Sequence, residues 1–149
     1  MIQGSATVQR PRPPAFSLAL DDAPWGNILV HQPDAAEAQE LQRILKIAGY
    51  RVIGPAASMA DVEGLLERSE IDCSLIDARA GFELGTLMDD RAIPIVVISS
   101  DVTGAFMWRA LGRILVPRPY RAGEILRAVH EASRRRAMSG SRSARRPDS

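Results

Sequence analysis

The sequence has one cysteine, one lysine and few aromatic residues, and these shortages exclude several classes of protein. Cys73 is the only cysteine among 149 residues, which excludes an intrachain disulfide and a cysteine-rich metal site. Aromatic residues make up 5% of the chain, and no pair of them suggests a stacking site for a flavin, although flavin binding stays open. Lys46 is the only lysine, so arginine carries nearly all of the positive charge.

Net charge and long apolar runs are also small. A net charge of +1 gives no general attraction to nucleic acid or to an anionic membrane. No apolar run approaches the roughly 18 to 20 residues that cross a bilayer. The stretch from Met1 to Trp25 lacks the basic start and continuous apolar segment of a secretory signal. We therefore expect a cytoplasmic protein without membrane contact.

The length predicts one domain between two irregular ends. Residues 1–26 contain four prolines among small and polar residues, which predicts a flexible N-terminal arm. Residues 27–135 are expected to form the domain. Residues 136–149 are rich in serine and arginine, which predicts a disordered basic tail.

Within the domain, short apolar runs alternate with helical patterns, as in proteins built from βαβ units. Asp34, with Glu37 three residues later, predicts a capping box at the start of the first helix. The predicted strands cover residues 28–30, 51–54, 73–76, 94–98 and 113–116, and the predicted helices begin near residues 34, 58, 82, 104 and 121. This pattern predicts an α/β fold with a doubly wound, five-stranded parallel sheet.

Functional groups of such sheets gather beyond the carboxyl ends of the strands. The candidates there are Gln32 and Pro33 after the first strand, Asp77 after the third, Ser99 after the fourth, and Arg118 and Pro119 after the fifth. The first turn, residues 31–34, contains no glycine, which argues against dehydrogenase and P-loop nucleotide sites. We expect the chain not to be an enzyme.

Several motifs resemble, in their order and spacing, the receiver domain of bacterial response regulators over about residues 27–134. They are Ile28-Leu29-Val30, Ala48-Gly49-Tyr50, the run from Val52 to Ser58, the third strand closing at Asp77, Ile93-Pro94, and Arg118-Pro119-Tyr120. The resemblance implies a flavodoxin-like fold with strand order 2-1-3-4-5 and a role in two-component or phosphorelay signalling. It also implies Asp77 as the phosphate acceptor, and a sensor histidine kinase or another regulator protein as the partner.

The sequence departs from that family at the magnesium site. The family holds Mg²⁺ with an acidic pair after the first strand, the acceptor aspartate and a carbonyl two residues beyond it. Here the pair falls on Gln32 and Pro33, which carry no charge, and Arg79 brings positive charge to the carbonyl position. Asp34 could substitute in a rearranged loop, although helix capping is its favoured role. We expect Mg²⁺ binding to be weak or absent, with Asp77 a weak metal candidate, and no other cofactor.

Two further positions keep the chemical character of the family pocket. Ser99 stands where the resemblance implies a hydroxyl that contacts the phosphoryl group. Arg118 replaces the family's lysine, and the bond before Pro119 is cis in that setting. We predict an ion pair between Arg118 and Asp77 that holds the pocket in one state.

The resemblance also implies a partner surface on the fourth helix, fifth strand and fifth helix. Leu115 replaces the switch aromatic of the family, Trp108 is a candidate interaction anchor with partial burial as its alternative, and Tyr120 adjoins the same face. A homodimer through this face is a second option.

These observations favour a stand-alone, atypical receiver, or pseudo-receiver, that signals through protein–protein contacts. The first alternative is a single-domain response regulator phosphorylated on Asp77. An alternative of another class is binding of nucleic acid or an acidic partner by the basic tail. Nucleic acid is the less favoured of these partners, because the tail contains no interleaved aromatic residues.

Overall fold

The computed structural model describes residues 26–100 and 102–145, in which strands and helices alternate. The strands are β1 (Asn27–His31), β2 (Arg51–Ala56), β3 (Cys73–Asp77), β4 (Ile95–Ser99) and β5 (Ile114–Pro117). The helices are α1 (Ala35–Ile47), α2 (Met59–Arg68), α3 (Phe82–Asp90), α4 (Val102–Ala110) and α5 (Ala122–Arg145). A single 3₁₀ turn, Ala78–Ala80, follows β3.

The five strands form one parallel sheet in the order β2-β1-β3-β4-β5, as predicted. Every residue of β3 and β4 is buried, because helices cover both faces of the sheet. Since all strands run in the same direction, their carboxyl ends lie along one rim. This rim carries the candidate functional residues.

Alternate strand residues pack against two different helix layers. Ile28, Val30, Leu75 and Ile98 point to the layer of α1 and α5. The opposite face, which includes Leu29, Ile76 and Val97, packs against α2, α3 and α4. Each face of the sheet therefore has its own apolar core, which fixes the strand ends in place.

The start of α1 agrees only in part with the predicted capping box. Asp34 is the N-cap, and its Oδ1 accepts a hydrogen bond from the Glu37 N–H at 2.9 Å. The side chain of Glu37 does not complete the box, because it binds Arg118 and Tyr120 across the rim. A charged donor offers this carboxylate a stronger hydrogen bond than a backbone N–H does.

The last helix is longer than the sequence pattern predicted. α5 continues to Arg145, so the predictions of a helix end at residue 135 and of disorder from 136 are wrong for residues 136–145. That stretch contains no proline, and its alanines and arginines are good helix formers, which outweigh the serines. Arg136 also donates from Nη1 to the Ile71 carbonyl and ties the helix to the loop before β3.

The predicted N-terminal arm, up to residue 25, and residues 146–149 of the predicted tail lie outside the described residues. Among the residues described, no helix has both the length and the apolar character needed to cross a membrane.

Candidate functional site

The site centres on Asp77, the last residue of the central strand β3. Its side chain is 1% exposed, although it lies at the rim where strands end. Oδ1 accepts the backbone N–H of Arg79 at 2.8 Å and caps the 3₁₀ turn. The chain that leaves β3 thus folds back over its own carboxylate.

Two guanidinium groups and one amide complete the surroundings of this carboxylate. Arg79 donates from Nε to Oδ1 and from Nη2 to Oδ2, both at 2.8 Å. Arg118 donates from Nη2 to Oδ2 at 2.6 Å, and Gln32 donates from Nε2 to the same oxygen at 3.2 Å. The predicted ion pair between Arg118 and Asp77 is therefore present, and each carboxylate oxygen has at least two donors.

Arg118 reaches Asp77 from β5 while a second carboxylate holds it from α1. Glu37 accepts from Arg118 Nη2 at 2.9 Å and from Nε at 3.1 Å, a two-pronged contact. Arg118 Nη1 donates to the Ser100 hydroxyl at 2.9 Å, and the Tyr120 hydroxyl donates to Glu37 at 2.7 Å. We call Gln32, Glu37, Asp77, Arg79, Arg118 and Tyr120 the rim network.

Contacts within the rim network shift the pKa values of Asp77, Arg118 and Tyr120. Burial raises the pKa of Asp77, but the hydrogen bonds from Arg79, Arg118 and Gln32 outweigh it and hold the pKa below its ordinary value. Burial lowers the pKa of Arg118, but hydrogen bonds to Glu37 and Asp77 raise it overall. Burial and the contact with Glu37 both raise the pKa of Tyr120. Asp77 is therefore ionised and paired at neutral pH.

The residues around Asp77 do not fit a magnesium ion. Mg²⁺ requires several oxygen ligands, at least one of them a free carboxylate oxygen. Gln32 directs its amide nitrogen to Asp77 and its Oε1 to the backbone N–H of Asp34 at 2.9 Å. Pro33 has no side-chain oxygen, and guanidinium nitrogens occupy the Asp77 oxygens. Among the described residues, no group of three or more acidic, histidine or cysteine side chains could hold a metal ion.

No protein-family model and no curated protein sequence matches the chain. Solved structures do match it. A response regulator receiver protein from Sinorhizobium medicae is 23% identical, with a TM-score of 0.65, and the match covers 74% of this chain and 96% of that one. Full-length FixJ from B. japonicum is 24% identical, with a TM-score of 0.70, over 82% of this chain and 64% of FixJ. The chain has the receiver fold.

A third neighbour shows how far the receiver fold is preserved without sequence identity. A CheY-like receiver domain protein from Methanospirillum hungatei is 17% identical, with a TM-score of 0.66, over 76% of this chain and 98% of that one. At such identities the shared property is the fold. The role of each rim residue therefore has to be argued from its own contacts.

In this receiver fold the predicted site residues lie together, but not all contact Asp77. Gln32, Arg79 and Arg118 do. The Asp34 carboxylate caps α1, and Pro33 is exposed. Ser99 is buried, and its carbonyl accepts the Arg118 N–H at 2.8 Å. The peptide bond before Pro119 is cis, as predicted.

Sequence reasoning did not identify Glu37 as a member of the site. Its partners Arg118 and Tyr120 lie 81 and 83 residues away along the chain. The available signal was the arginine that replaces lysine at position 118, because a forked guanidinium can bind a second carboxylate. Only the folded chain, in which the start of α1 and the residue after β5 meet at the rim of the sheet, shows which carboxylate that is.

Trp108, the candidate interaction anchor, is buried against the sheet, which was the alternative to that role. Its side chain is 2% exposed, contacts the tilted ring of Phe82 with 4.8 Å between the ring centroids, and donates from Nε1 to the Ala78 carbonyl at 3.3 Å. Indole is the largest apolar side chain of α4, and burial between the sheet and α3 gives it both packing and a hydrogen-bond partner. Leu115 and Tyr120 are partly buried.

The exposed apolar residues of this region are neighbours of Trp108 in sequence. Phe106 and Met107 in α4 and Leu111 just after it have 68%, 49% and 53% of their surface exposed. We call these three residues the α4 patch. Phe106 and Met107 are exposed because they lie two and one positions from Trp108 on the helix and point away from its buried side, whereas Leu111 lies beyond the end of α4.

Proposed function

We propose that the chain is a pseudo-receiver, a receiver-type domain of two-component or phosphorelay signalling that binds other proteins in the cytoplasm without Mg²⁺-dependent phosphorylation. The observation that carries this proposal is the pairing of the Asp77 carboxylate with Arg79 and Arg118 in place of acidic metal ligands. The proposal includes no catalytic activity and no cofactor.

The chemistry of phosphoryl transfer supports this proposal. A carboxylate that attacks a phosphohistidine needs an exposed oxygen in line with the leaving group, and a cation must neutralise the transferring group. Here Asp77 is 1% exposed and both of its oxygens already accept charged hydrogen bonds. Attack would first require two guanidiniums to move away from the carboxylate.

The second candidate is phosphorylation of Asp77, and the arginines themselves favour it. Arg79 is 70% exposed, so its side chain is able to swing outward. Arg118 and the Ser100 hydroxyl would then offer donors to phosphoryl oxygens. In this candidate function, guanidinium groups take the place of the metal ion.

A phosphoryl mimic separates the two functions. We expect amide NMR signals around Asp77 and Ser99 to stay unchanged when beryllofluoride and Mg²⁺ are added, because no oxygen of Asp77 is free. The Asp77→Asn variant is the matched control for nonspecific binding. Saturable shifts in the wild type that disappear in this variant would establish the phosphate-accepting alternative instead.

The α4 patch is the surface that we propose for protein binding. Exposed large apolar side chains that lie together are a common feature of protein–protein interfaces. A sensor histidine kinase, another regulator or a second copy of the chain are the proposed partners. A pull-down with the wild type and with Phe106→Ser identifies the partner, and capture of the same proteins by both would contradict the role of this surface.

Binding of nucleic acid or an acidic protein through the basic end of the chain is the least favoured function. Arg134 and Arg135 already form ion pairs with Glu131, at 3.1 and 3.3 Å. We expect negligible DNA affinity at two salt concentrations, unchanged by deletion of the residues after Arg136. A salt-dependent affinity that the deletion abolishes would support the nucleic-acid alternative.

A further inference from the structure

Arg118 is held more firmly by Glu37 than by Asp77. Two of its nitrogens, Nε and Nη2, bind the two oxygens of Glu37, whereas only Nη2 reaches Asp77. A forked contact fixes the plane of a guanidinium group, and a single hydrogen bond leaves it free to rotate. The orientation of Arg118 is therefore determined mainly from α1.

Glu37 itself is fixed in position from two sides. Its backbone N–H binds the Asp34 side chain in the first turn of α1, and its Oε2 accepts the Tyr120 hydroxyl at 2.7 Å. Asp34 in turn donates its N–H to Gln32, which also contacts Asp77. The contacts run as a closed ring from Asp77 through Arg118, Glu37, Asp34 and Gln32 back to Asp77.

The charges within the rim network balance one another. Asp77 and Glu37 contribute two negative charges, and Arg79 and Arg118 contribute two positive charges, so the paired groups are neutral together. Without Glu37, Asp77 and the Ser100 hydroxyl would be the side-chain partners left to Arg118 among residues 26–100 and 102–145. Its guanidinium would then be free to move toward solvent, since it is already 21% exposed.

We infer that Glu37 is the positioning residue that holds the guanidinium of Arg118 over Asp77 and so keeps the pocket closed. This inference deepens the proposed function and rests on it for its meaning in signalling. The geometric claim, however, concerns only the arrangement of side chains. It can therefore be tested without any phosphoryl group.

The first test measures how well the Arg118 side chain is protected from water. In the full chain, we expect Glu37→Gln to increase the hydrogen-exchange rate of the Arg118 Nε–H by about tenfold, because this proton loses its carboxylate acceptor. Glu40→Gln is the matched control, since Glu40 lies on the exposed side of α1 and binds Arg43. Equal exchange rates in the wild type and in Glu37→Gln would overturn the inference.

The second test measures energetic coupling between the two residues. We expect the effects of Glu37→Gln and Arg118→Gln on the folding equilibrium constant to deviate from independence by about tenfold in the double variant. The pair Glu40→Gln and Arg118→Gln should combine independently. Independent effects of Glu37→Gln and Arg118→Gln would contradict a positioning role even if both variants are less stable.

A third variant covers the case in which Glu37→Gln does not fold. Glu37→Asp keeps the charge and the α1 start but shortens the side chain, so we expect faster Arg118 exchange with an unchanged circular dichroism spectrum. Unchanged exchange would again overturn the inference. Beryllofluoride binding by the wild type would refute the pseudo-receiver proposal while leaving these exchange results intact, so the two failures are distinguishable.

Discussion

The rim network and the α4 patch differ in how far their side chains are exposed to solvent. In the rim network, charged groups are drawn inward and bind one another, so that Asp77 is 1% exposed. In the α4 patch, apolar groups stay in solvent, and Phe106 is 68% exposed. Asp77, at the position suited to phosphoryl chemistry, is closed to solvent. The apolar α4 patch, which a protein partner could cover, is exposed.

This contrast indicates where the protein can interact with other molecules. A paired carboxylate binds a further ligand weakly, since the ligand must first break charged hydrogen bonds. Exposed apolar surface gains free energy when a partner covers it. The proposed binding through the α4 patch therefore costs less free energy than a reaction at Asp77. The following changes test both sides of this contrast.

The largest expected effect separates the two sides of α4. We expect Trp108→Ala to lower the free energy of unfolding by about 3 to 5 kcal/mol, because it leaves a cavity between the sheet and α3. Phe106→Ala, two residues away, should change it by less than about 0.5 kcal/mol. Urea denaturation measures both, and similar losses would mean that the α4 patch is part of the core.

Neutralising Asp77 should destabilise the domain. Asp77→Asn leaves Arg79 and Arg118 as like charges around a neutral amide, and we expect a loss of about 2 kcal/mol at pH 7. Because the pKa of Asp77 is lowered by folding, this contribution is present above about pH 4 and is lost as the pH falls further.

A surface ion pair provides the control for this change. Glu40→Gln breaks the pair of Glu40 with Arg43 and should destabilise the domain much less than Asp77→Asn, since both side chains of the pair are at least half exposed. In a pocket of clustered carboxylates, neutralising the aspartate would relieve repulsion. A gain in stability for Asp77→Asn would therefore show that the rim is acidic in solution.

Changes in the α4 patch should affect binding and leave folding intact. We expect the double variant Phe106→Ser, Met107→Ser to lower the affinity for the captured partner, or for a second copy of the chain, at least about tenfold. Large apolar side chains dominate interface energies. Ile47→Ser is the control, since Ile47 is equally exposed but lies on α1. Sedimentation and titration measure both. A larger loss of affinity in Ile47→Ser would indicate that the interface lies on α1.

The smallest expected effect comes from His31, which lies beside the rim network at the end of β1. Its side chain is buried, its Nδ1 has no hydrogen-bond partner in the described part of the chain, and burial lowers its pKa although the charge of Asp77 acts in the opposite direction. The unfolded chain therefore binds more protons below about pH 6.5, and stability should fall with the pH from there.

Replacing His31 tests this pH dependence directly. His31→Asn should flatten the pH dependence of unfolding between about pH 6.5 and 5. His130→Asn, at an exposed position of α5, should leave the slope as in the wild type. An unchanged slope in His31→Asn would assign the dependence to other groups.

Much of the fold could be predicted because it depends on local periodicity. The apolar runs of β3 and β4 are continuous since both faces of the sheet are covered, and that pattern is visible in sequence. The rim positions follow from strand ends, which is why Asp77, Gln32 and Arg118 were predicted together. The pairing of Arg118 with Asp77 follows from opposite charges at strand ends that lie on the same rim of the sheet.

The remaining features depend on packing between distant segments. Glu37 joins the site because the start of α1 and the residue after β5 meet at the rim of the sheet, which no local pattern encodes. Trp108 and Phe106 are both aromatic, but only Trp108 is buried. The rotation of α4 about its axis relative to α3 decides which of them faces the core. The length of α5 is not evident from composition, because a segment rich in serine and arginine fits a disordered tail as well as a helix.

Because of Arg79, the charge of Asp77 is balanced without any ion from solution. An ion from solution binds and leaves according to its concentration, whereas this guanidinium is covalently attached two residues away and is always present. The effective concentration of the counter-charge is therefore set by the chain itself. A chelator should leave the pocket undisturbed, so depletion of divalent cations should not alter its structure.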